Sequence, residues 1–246
     1  MARTAVITGA ASGIGAEASR MLQAEGWRVF GIDLPGAGMR AADRFIPIPC
    51  DIRDADALAT AFATIARDAP RLNALVACAG VLRTGPIAET RVEDFDLVFD
   101  VNMRGSWLSA KHALPGLRAA TAAGEIGRIV FLSSVAALRP KINGGIYAAS
   151  KAAVSQMTKV LAVECAPFGV LVNALAPGTV DTPMVRPALG GNMGSYRPSG
   201  ASPLGRIAQP EDIARMVRLL LSEDAAYVTG ATIPVDGGTS AAFVPP

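Results

Sequence analysis

Short apolar runs rich in β-branched residues alternate along this chain with longer segments whose apolar positions recur every three to four residues. Ala5 to Ile7, Arg28 to Ile32, Phe45 to Ile48, Leu72 to Ala77, Arg128 to Leu132, Val170 to Ala176 and Thr232 to Val235 read as strands. Ile14 to Glu25 (closed by Gly26), Ala55 to Asp68, Val92 to Ala120, Tyr147 to Ala166 and Pro210 to Leu221 read as helices, and Pro115 is expected to break the third near its end. Alternation of this kind builds a parallel sheet with helices on both faces. The strand runs are apolar throughout rather than at every second position, as strands covered on both sides require. The pattern predicts the α/β class, with a doubly wound parallel sheet of about seven strands in a single domain over residues 1–246.

Two stretches depart from the alternation. Pro35 to Gly38 leaves room for a turn of helix at most between the second and third strands. Residues 184–203 are rich in Gly, Pro, Ser and Ala and are long for a connection. Loops of that length are usually functional, so this one is expected to be a lid over a substrate.

Composition narrows the function classes. The 246 residues are 51% hydrophobic and 18% charged, with a net charge of +2. The basic residues are scattered, which argues against nucleic acid and against a membrane surface as partners. The modest charge suggests that other subunits cover part of the surface. Cys50, Cys78 and Cys165 are too few and too widely spaced for a disulfide framework or a zinc site, and His112 is the only histidine, so no metal is expected. A reduced, cytoplasmic setting follows. No signal-peptide pattern opens the chain, and no apolar stretch reaches 18 residues.

The first strand runs into Thr8-Gly9-Ala10-Ala11-Ser12-Gly13-Ile14-Gly15, a glycine-rich turn before a helix. Such a turn brings backbone close to a pyrophosphate, and the helix N-terminus offers free N–H groups and a positive dipole end, as in a Rossmann-type fold. An ordinary glycine turn is the alternative. Asp33 ends the second strand about 20 residues on, where a carboxylate binds the ribose hydroxyls of NAD and repels the 2′-phosphate of NADP. A loop cap is its alternative. Asp51 and Ile52 follow the third strand and either border an adenine or cap the next helix. Ala79 and Gly80, after the fourth, are small enough for a cofactor to lie against the sheet.

Tyr147 and Lys151 lie four residues apart on one helical face. A free tyrosine has a pKa of about 10, and a neighbouring ammonium lowers it, so the pair can exchange a proton with an alcohol. A surface Tyr–Lys pair is the alternative. Ser134 follows the fifth strand, where its hydroxyl can hold a substrate oxygen against Tyr147, and Ser133 is its rival. Asn102, an amide inside an apolar helix, needs partners and can hold a water that links Lys151 to solvent; a capped or exposed Asn is the alternative. Pro177, Gly178 and Val180 follow the sixth strand and offer backbone groups to a nicotinamide carboxamide, with the Thr182 hydroxyl near a phosphate; a plain turn is the alternative.

Together these residues resemble the short-chain dehydrogenase/reductases over essentially the whole chain: T-G-x-x-x-G-x-G at 8–15, Asp33, Ala79-Gly80, Asn102, Ser134, Y-x-x-x-K at 147–151, Pro177-Gly178 and V-D-G-G at 235–238. The resemblance implies that Tyr147 is the acid/base, that Lys151 lowers its pKa and binds the nicotinamide ribose, that Ser134 polarises the substrate oxygen and that Asn102 completes a proton relay. It also implies a homotetramer paired through the long helices and the last strand. One departure stands where the family often has Asn-Asn-Ala-Gly: here Ala77-Cys78-Ala79-Gly80.

The expected reaction is hydride transfer between NAD and a small secondary alcohol or ketone. Gly80 to Arg83, Arg139 to Ile142, Pro177 to Thr182 and Pro203 to Ala208 resemble the 2,3-dihydro-2,3-dihydroxybenzoate dehydrogenase branch, which implies a cyclic diol or dihydrodiol acid; Arg83, Arg139 and Lys141 are then candidate carboxylate anchors, with solvated loop charges as the alternative. Sugar-alcohol or other cyclic-alcohol dehydrogenation and 3-oxoacyl thioester reduction are alternatives, as is an NAD-sensing scaffold without turnover.

Overall fold

The computed structural model describes residues 2–189 and 202–241. Among these, seven strands form one sheet: β1 (Thr4–Thr8), β2 (Arg28–Asp33), β3 (Phe45–Pro49), β4 (Ala74–Ala77), β5 (Gly127–Leu132), β6 (Val170–Pro177) and β7 (Thr232–Val235). The spatial order is β3-β2-β1-β4-β5-β6-β7, and every pairing is parallel. This is the Rossmann-type, doubly wound arrangement expected. The helices are α1 (Gly13–Ala24), α2 (Ala55–Asp68), α3 (Val92–Phe99), α4 (Ser106–Ala122), α5 (Gly145–Cys165), α6 (Arg186–Leu189) and α7 (Pro210–Leu221).

Successive strand residues serve opposite faces. Ala5 and Ile7 join Ala18, Leu22, Ile213, Val217 and Leu220 of α1 and α7, while Val6 joins Leu58, Phe62, Leu108, Leu117 and Val154 of α2, α4 and α5. Each fully buried side chain of this size contributes about 1.5–3 kcal/mol. Proline marks the sheet edges, since it cannot donate to a ladder. Pro47 and Pro49 lie on edge strand β3, and Pro234 lies on edge strand β7.

The fourth strand is shorter than expected, beginning at Ala74 rather than Leu72. The long third helix differs more. It is interrupted at Asp100–Gly105 by a π-helical turn, and α4 then runs through Pro115 to Ala122 without ending there. Pro115 and Lys111, whose carbonyl lies one turn back, are both exposed, so water can replace the hydrogen bond that proline removes. Asn102 therefore sits in a π turn, a distortion common at functional sites.

β1 pairs with β2 on one side and β4 on the other. The chain winds outward from this point in both directions, leaving a crevice outside the carboxyl ends of the strands, where open α/β sheets bind ligands.

Candidate active site

A cleft of about 330 Å³ opens at that switch point. Every residue singled out for cofactor or catalysis lines it except Asn102, which lies beneath its floor. The glycine turn forms one wall. Gly9 has φ +69°, and a Cβ there would come 2.8 Å from the backbone nitrogen of Ala79; a Cβ on Gly15 would overlap the carbonyl of Gly9. β1, its turn and the end of β4 therefore pack backbone against backbone. Ser12, at the N-cap of α1, makes no side-chain cap bond, so the first-turn N–H groups stay available to an anion. Thr182 folds over the turn, with its methyl 3.1 Å from where a Gly13 Cβ would lie.

Asp33 stands at the far end of this wall. Its Oδ2 accepts from the Ala11 N–H (2.9 Å) and its Oδ1 from the Leu34 N–H (2.8 Å), which fixes the carboxylate while leaving lone pairs on both oxygens. Asp51 does not cap α2; Asp54 does, accepting from the N–H groups of Asp56 and Ala57 at 3.0 Å. Asp51 instead pairs with Arg53, whose guanidinium holds its carboxyl below the usual range. Arg53, Cys50 and Leu34 also line this end. Nothing in their spacing points to it; the parallel register of β2 and β3 brings them there.

The other end of the cleft lies outside β4 and β5. Lys151 is 5% exposed and donates from Nζ to the Leu132 carbonyl at 2.7 Å. Burial pushes its ammonium down to about 8, with the Cys78 thiol acting weakly in the opposite direction. Nζ lies 5.8 Å from the centre of the Tyr147 ring. Cys78 is itself pushed up to about 12 by burial, so it stays a thiol at neutral pH and is no nucleophile.

The two rival serines are differently employed. Ser133 donates to the Lys151 carbonyl (3.0 Å) and hydrogen-bonds the Ser155 hydroxyl (2.7 Å), tying β5 to α5. Ser134 accepts the Ala136 N–H at 3.1 Å, which leaves its own proton to offer into the cleft. Asn102 is fully buried: Oδ1 accepts from the Val81 N–H (2.8 Å), and Nδ2 donates to the Val81 carbonyl and to Ser150 Oγ (both 3.0 Å). Gly80 lies between the two polar groups, since a Cβ on it would come 3.2 Å from Asn102 Oδ1 and 3.5 Å from Lys151 Nζ. The π turn and α5 thus bring Asn102 and Lys151 together around a residue without a side chain.

The expected carboxylate anchors do not line the cleft among the described residues. Arg83 pairs with Asp94 at 3.1 Å, Arg186 with Asp181 at 2.8 Å, and Arg139 donates to the Thr239 carbonyl at 2.6 Å. Lys141 is not among the lining side chains either. Val81, Met184 and Val185 supply an apolar lining instead. Of the expected lid, 184–189 carries α6, while 190–201, with Tyr196 and Arg197, lies outside the described residues. Among the described residues no group of His, Cys, Asp or Glu is placed to hold a metal, and no helix is long and apolar enough to cross a membrane.

Residues 9–240 match the short-chain dehydrogenase family model described as enoyl-(acyl carrier protein) reductase. The chain belongs to the short-chain dehydrogenase/reductase family. It is an oxidoreductase of the CH–OH group, working on a small molecule with a nicotinamide cofactor. It is 37% identical to cis-4-hydroxycyclohexanecarboxylate dehydrogenase of Sinomonas cyclohexanicum, with 97% of each chain covered. It is 32% identical to cyclopentanol dehydrogenase of Comamonas sp., again with 97% of each chain covered. Both relatives are named for cyclic alcohols rather than for a dihydrodiol acid. Among solved family members, 3-ketoacyl-(acyl-carrier-protein) reductase from Brucella melitensis, complexed with NADH, superposes with a TM-score of 0.88 at 29% identity, covering 97% of this chain and 98% of that one. ElxO with NADP bound gives 0.87 at 25% identity, with 98% and 100% covered. The family thus includes structures with either nicotinamide dinucleotide.

Proposed function

We propose that this protein oxidises secondary alcohols carried on a small ring, with NAD as the acceptor. The observation that carries the reading is the convergence of Ser134, Tyr147 and Lys151, with Asn102 beneath, in the same cleft as the glycine turn. The residues fit the cofactor. Gly9, Ser12, Gly13, Ile14 and Gly15 would hold the pyrophosphate, Asp33 the adenosine ribose, and Asp51 and Ile52 the adenine. Ala79 and Gly80 give room against the sheet, backbone groups at Pro177, Gly178 and Val180 would take the carboxamide, and Thr182 a phosphate. When bound, the nicotinamide supplies the two-electron acceptor for the carbinol carbon.

The chain's own residues handle the proton and the oxygen. Ser134 donates a hydrogen bond to the substrate hydroxyl and holds it toward Tyr147. Tyr147 takes the hydroxyl proton, its phenolate favoured by the buried Lys151 ammonium. Asn102, on the π turn close to Lys151, would help pass a proton from Lys151 outward. One domain carries both cofactor and substrate, with the 184–203 segment as its lid. Trp107 on α4 and Val160 and Val163 on α5 are exposed apolar residues on the helices a homotetramer would pair; a native mass of one chain would remove that part of the proposal.

NAD is favoured by charge. Arg53 is already compensated by Asp51, so Asp33 sets the potential near the ribose. Asp33→Ala is expected to raise KM for NAD by about 10- to 100-fold, the loss of one or two hydrogen bonds to a charged group. It should also lower the discrimination against NADP. Steady-state KM values for both cofactors test this; a wild type that prefers NADP overturns it.

For the substrate, the apolar lining and the paired cations favour a neutral ring alcohol over a dihydrodiol acid. NADH formation should be followed with cyclopentanol, 4-hydroxycyclohexanecarboxylate, a cyclic dihydrodiol carboxylate, sugar alcohols and a 3-hydroxyacyl thioester. Highest kcat/KM on the neutral ring alcohol is expected. A preference for the dihydrodiol acid restores the narrower reading, and a preference for the thioester replaces both.

A further inference from the structure

We infer that Ser150 is a positioning residue for the proposed proton transfer, bridging the π turn that carries Asn102 to the backbone of Tyr147. The inference rests on the assignment of Tyr147 as the acid/base. Ser150 is fully buried, and its one hydroxyl is used twice: it accepts from Asn102 Nδ2 at 3.0 Å and donates to the Tyr147 carbonyl at 2.7 Å. A serine that only bonds back one turn within its helix needs no outside partner. This one receives a bond from a residue 48 positions away, on an element that packs against α5.

The chain of bonds has a direction. The Val81 N–H donates to Asn102 Oδ1, Asn102 Nδ2 donates to Ser150, and Ser150 donates to the Tyr147 carbonyl. It links the loop after β4, the π turn and the first turn of α5, the three segments on which Gly80, Asn102 and Tyr147 stand. An amide at 102 orders a hydroxyl at 150, and that hydroxyl holds the turn that aims the Tyr147 ring. Without it, one N–H of the fully buried Asn102 loses its partner, and one lone pair of the Tyr147 carbonyl loses its donor. The remaining bonds to Val81 no longer fix how the π turn sits against α5. The substrate-facing groups remain, so the effect falls on geometry rather than on binding. Among the described residues the titratable groups at this end of the cleft, besides Tyr147 itself, are Lys151 on α5 and Cys78 at the end of β4; Asp33, Asp51 and Arg53 line the opposite end.

The test uses Ser150→Ala and Ser150→Cys beside the wild type, with Tyr147→Phe as baseline. Cysteine keeps the volume but is a weak donor and acceptor, so it serves where alanine does not fold. Three readouts are taken: kcat against pH, NADH affinity by fluorescence, and the ultraviolet phenolate titration after subtraction of the Tyr147→Phe curve. Expected are a fall in kcat of about tenfold, an unchanged NADH Kd, and a phenolate titration moved up toward the free-tyrosine value of about 10. An unmoved phenolate titration overturns the inference, even where kcat falls, because the role is then structural. Full turnover by Tyr147→Phe instead overturns the acid/base assignment itself.

Discussion

Tyr147→Phe is expected to lower kcat by about 10³-fold or more while leaving NADH binding and the fold intact. In the proposed mechanism the phenol oxygen takes and returns the alcohol proton near neutral pH, and among the described residues lining the cleft no other side chain is proposed for that exchange. Cys78 stays a thiol, pushed up to about 12, and Lys151, already bound to the Leu132 carbonyl, is proposed to tune rather than to exchange. Positioned acid–base groups contribute about 10²- to 10⁴-fold. The upper half of that range is expected because no substitute lines the cleft among the described residues. Removing one oxygen changes no apolar contact of the ring, so stability should stay close to wild type. Single-turnover NADH formation separates chemistry from release. A variant that keeps turnover within tenfold of wild type removes Tyr147 from the mechanism.

Lys151→Met should cost turnover about 10²-fold or more, yet leave the protein no less stable at pH 7. Burial lowers the Lys151 ammonium from 10.5 to about 8, so at pH 7 it is still charged. That charge favours the neighbouring phenolate; without it the rise of kcat with pH moves toward the value of free tyrosine, about 10. The stability effect has the opposite sign. A lysine whose folded value lies below its unfolded value binds its proton less tightly in the native state. The penalty is full below about pH 8, shrinks between 8 and 10.5, and is gone above, and it amounts to roughly 3 kcal/mol. Methionine removes it but leaves the Leu132 carbonyl unpaired, at a cost of about 1–3 kcal/mol. The two nearly cancel at pH 7, and wild type should gain on the variant as pH rises from 8 to 10.5. Thermal melts of both proteins across that range test the sign. A variant several degrees less stable at pH 7 would show that Lys151 holds the fold together rather than burdening it.

Much of this could be read from the chain. The strand runs are apolar at every position because both faces of the sheet are covered, so seven strands were legible to within two residues. The glycine turn was legible because its spacing reflects steric need: Gly9 and Gly15 lie where backbone meets backbone. Tyr147 and Lys151 were legible because a helix converts a spacing of four into a shared face. Asn102 was found through its type, an amide where an apolar helix should run, although the helix there is a π turn.

What remained hidden depends on groups far apart in sequence. No local pattern distinguishes Ser133 from Ser134; the difference is which hydroxyl α5 consumes, and that is settled by how β5 and α5 pack. Arg83 and Arg139 read as available cations until their partners, Asp94 and the Thr239 carbonyl, appear beside them. Ser150 reads as filler between Tyr147 and Lys151 until the π turn brings Asn102 against it. The sequence by itself determined the sheet, the glycine turn and a tyrosine and lysine on one helical face, because each follows from steric and periodic rules acting over a few residues. Only the tertiary structure decided which polar groups are spent on one another and which still face the cleft, because hydrogen bonds and ion pairs are satisfied by whatever the fold places within reach.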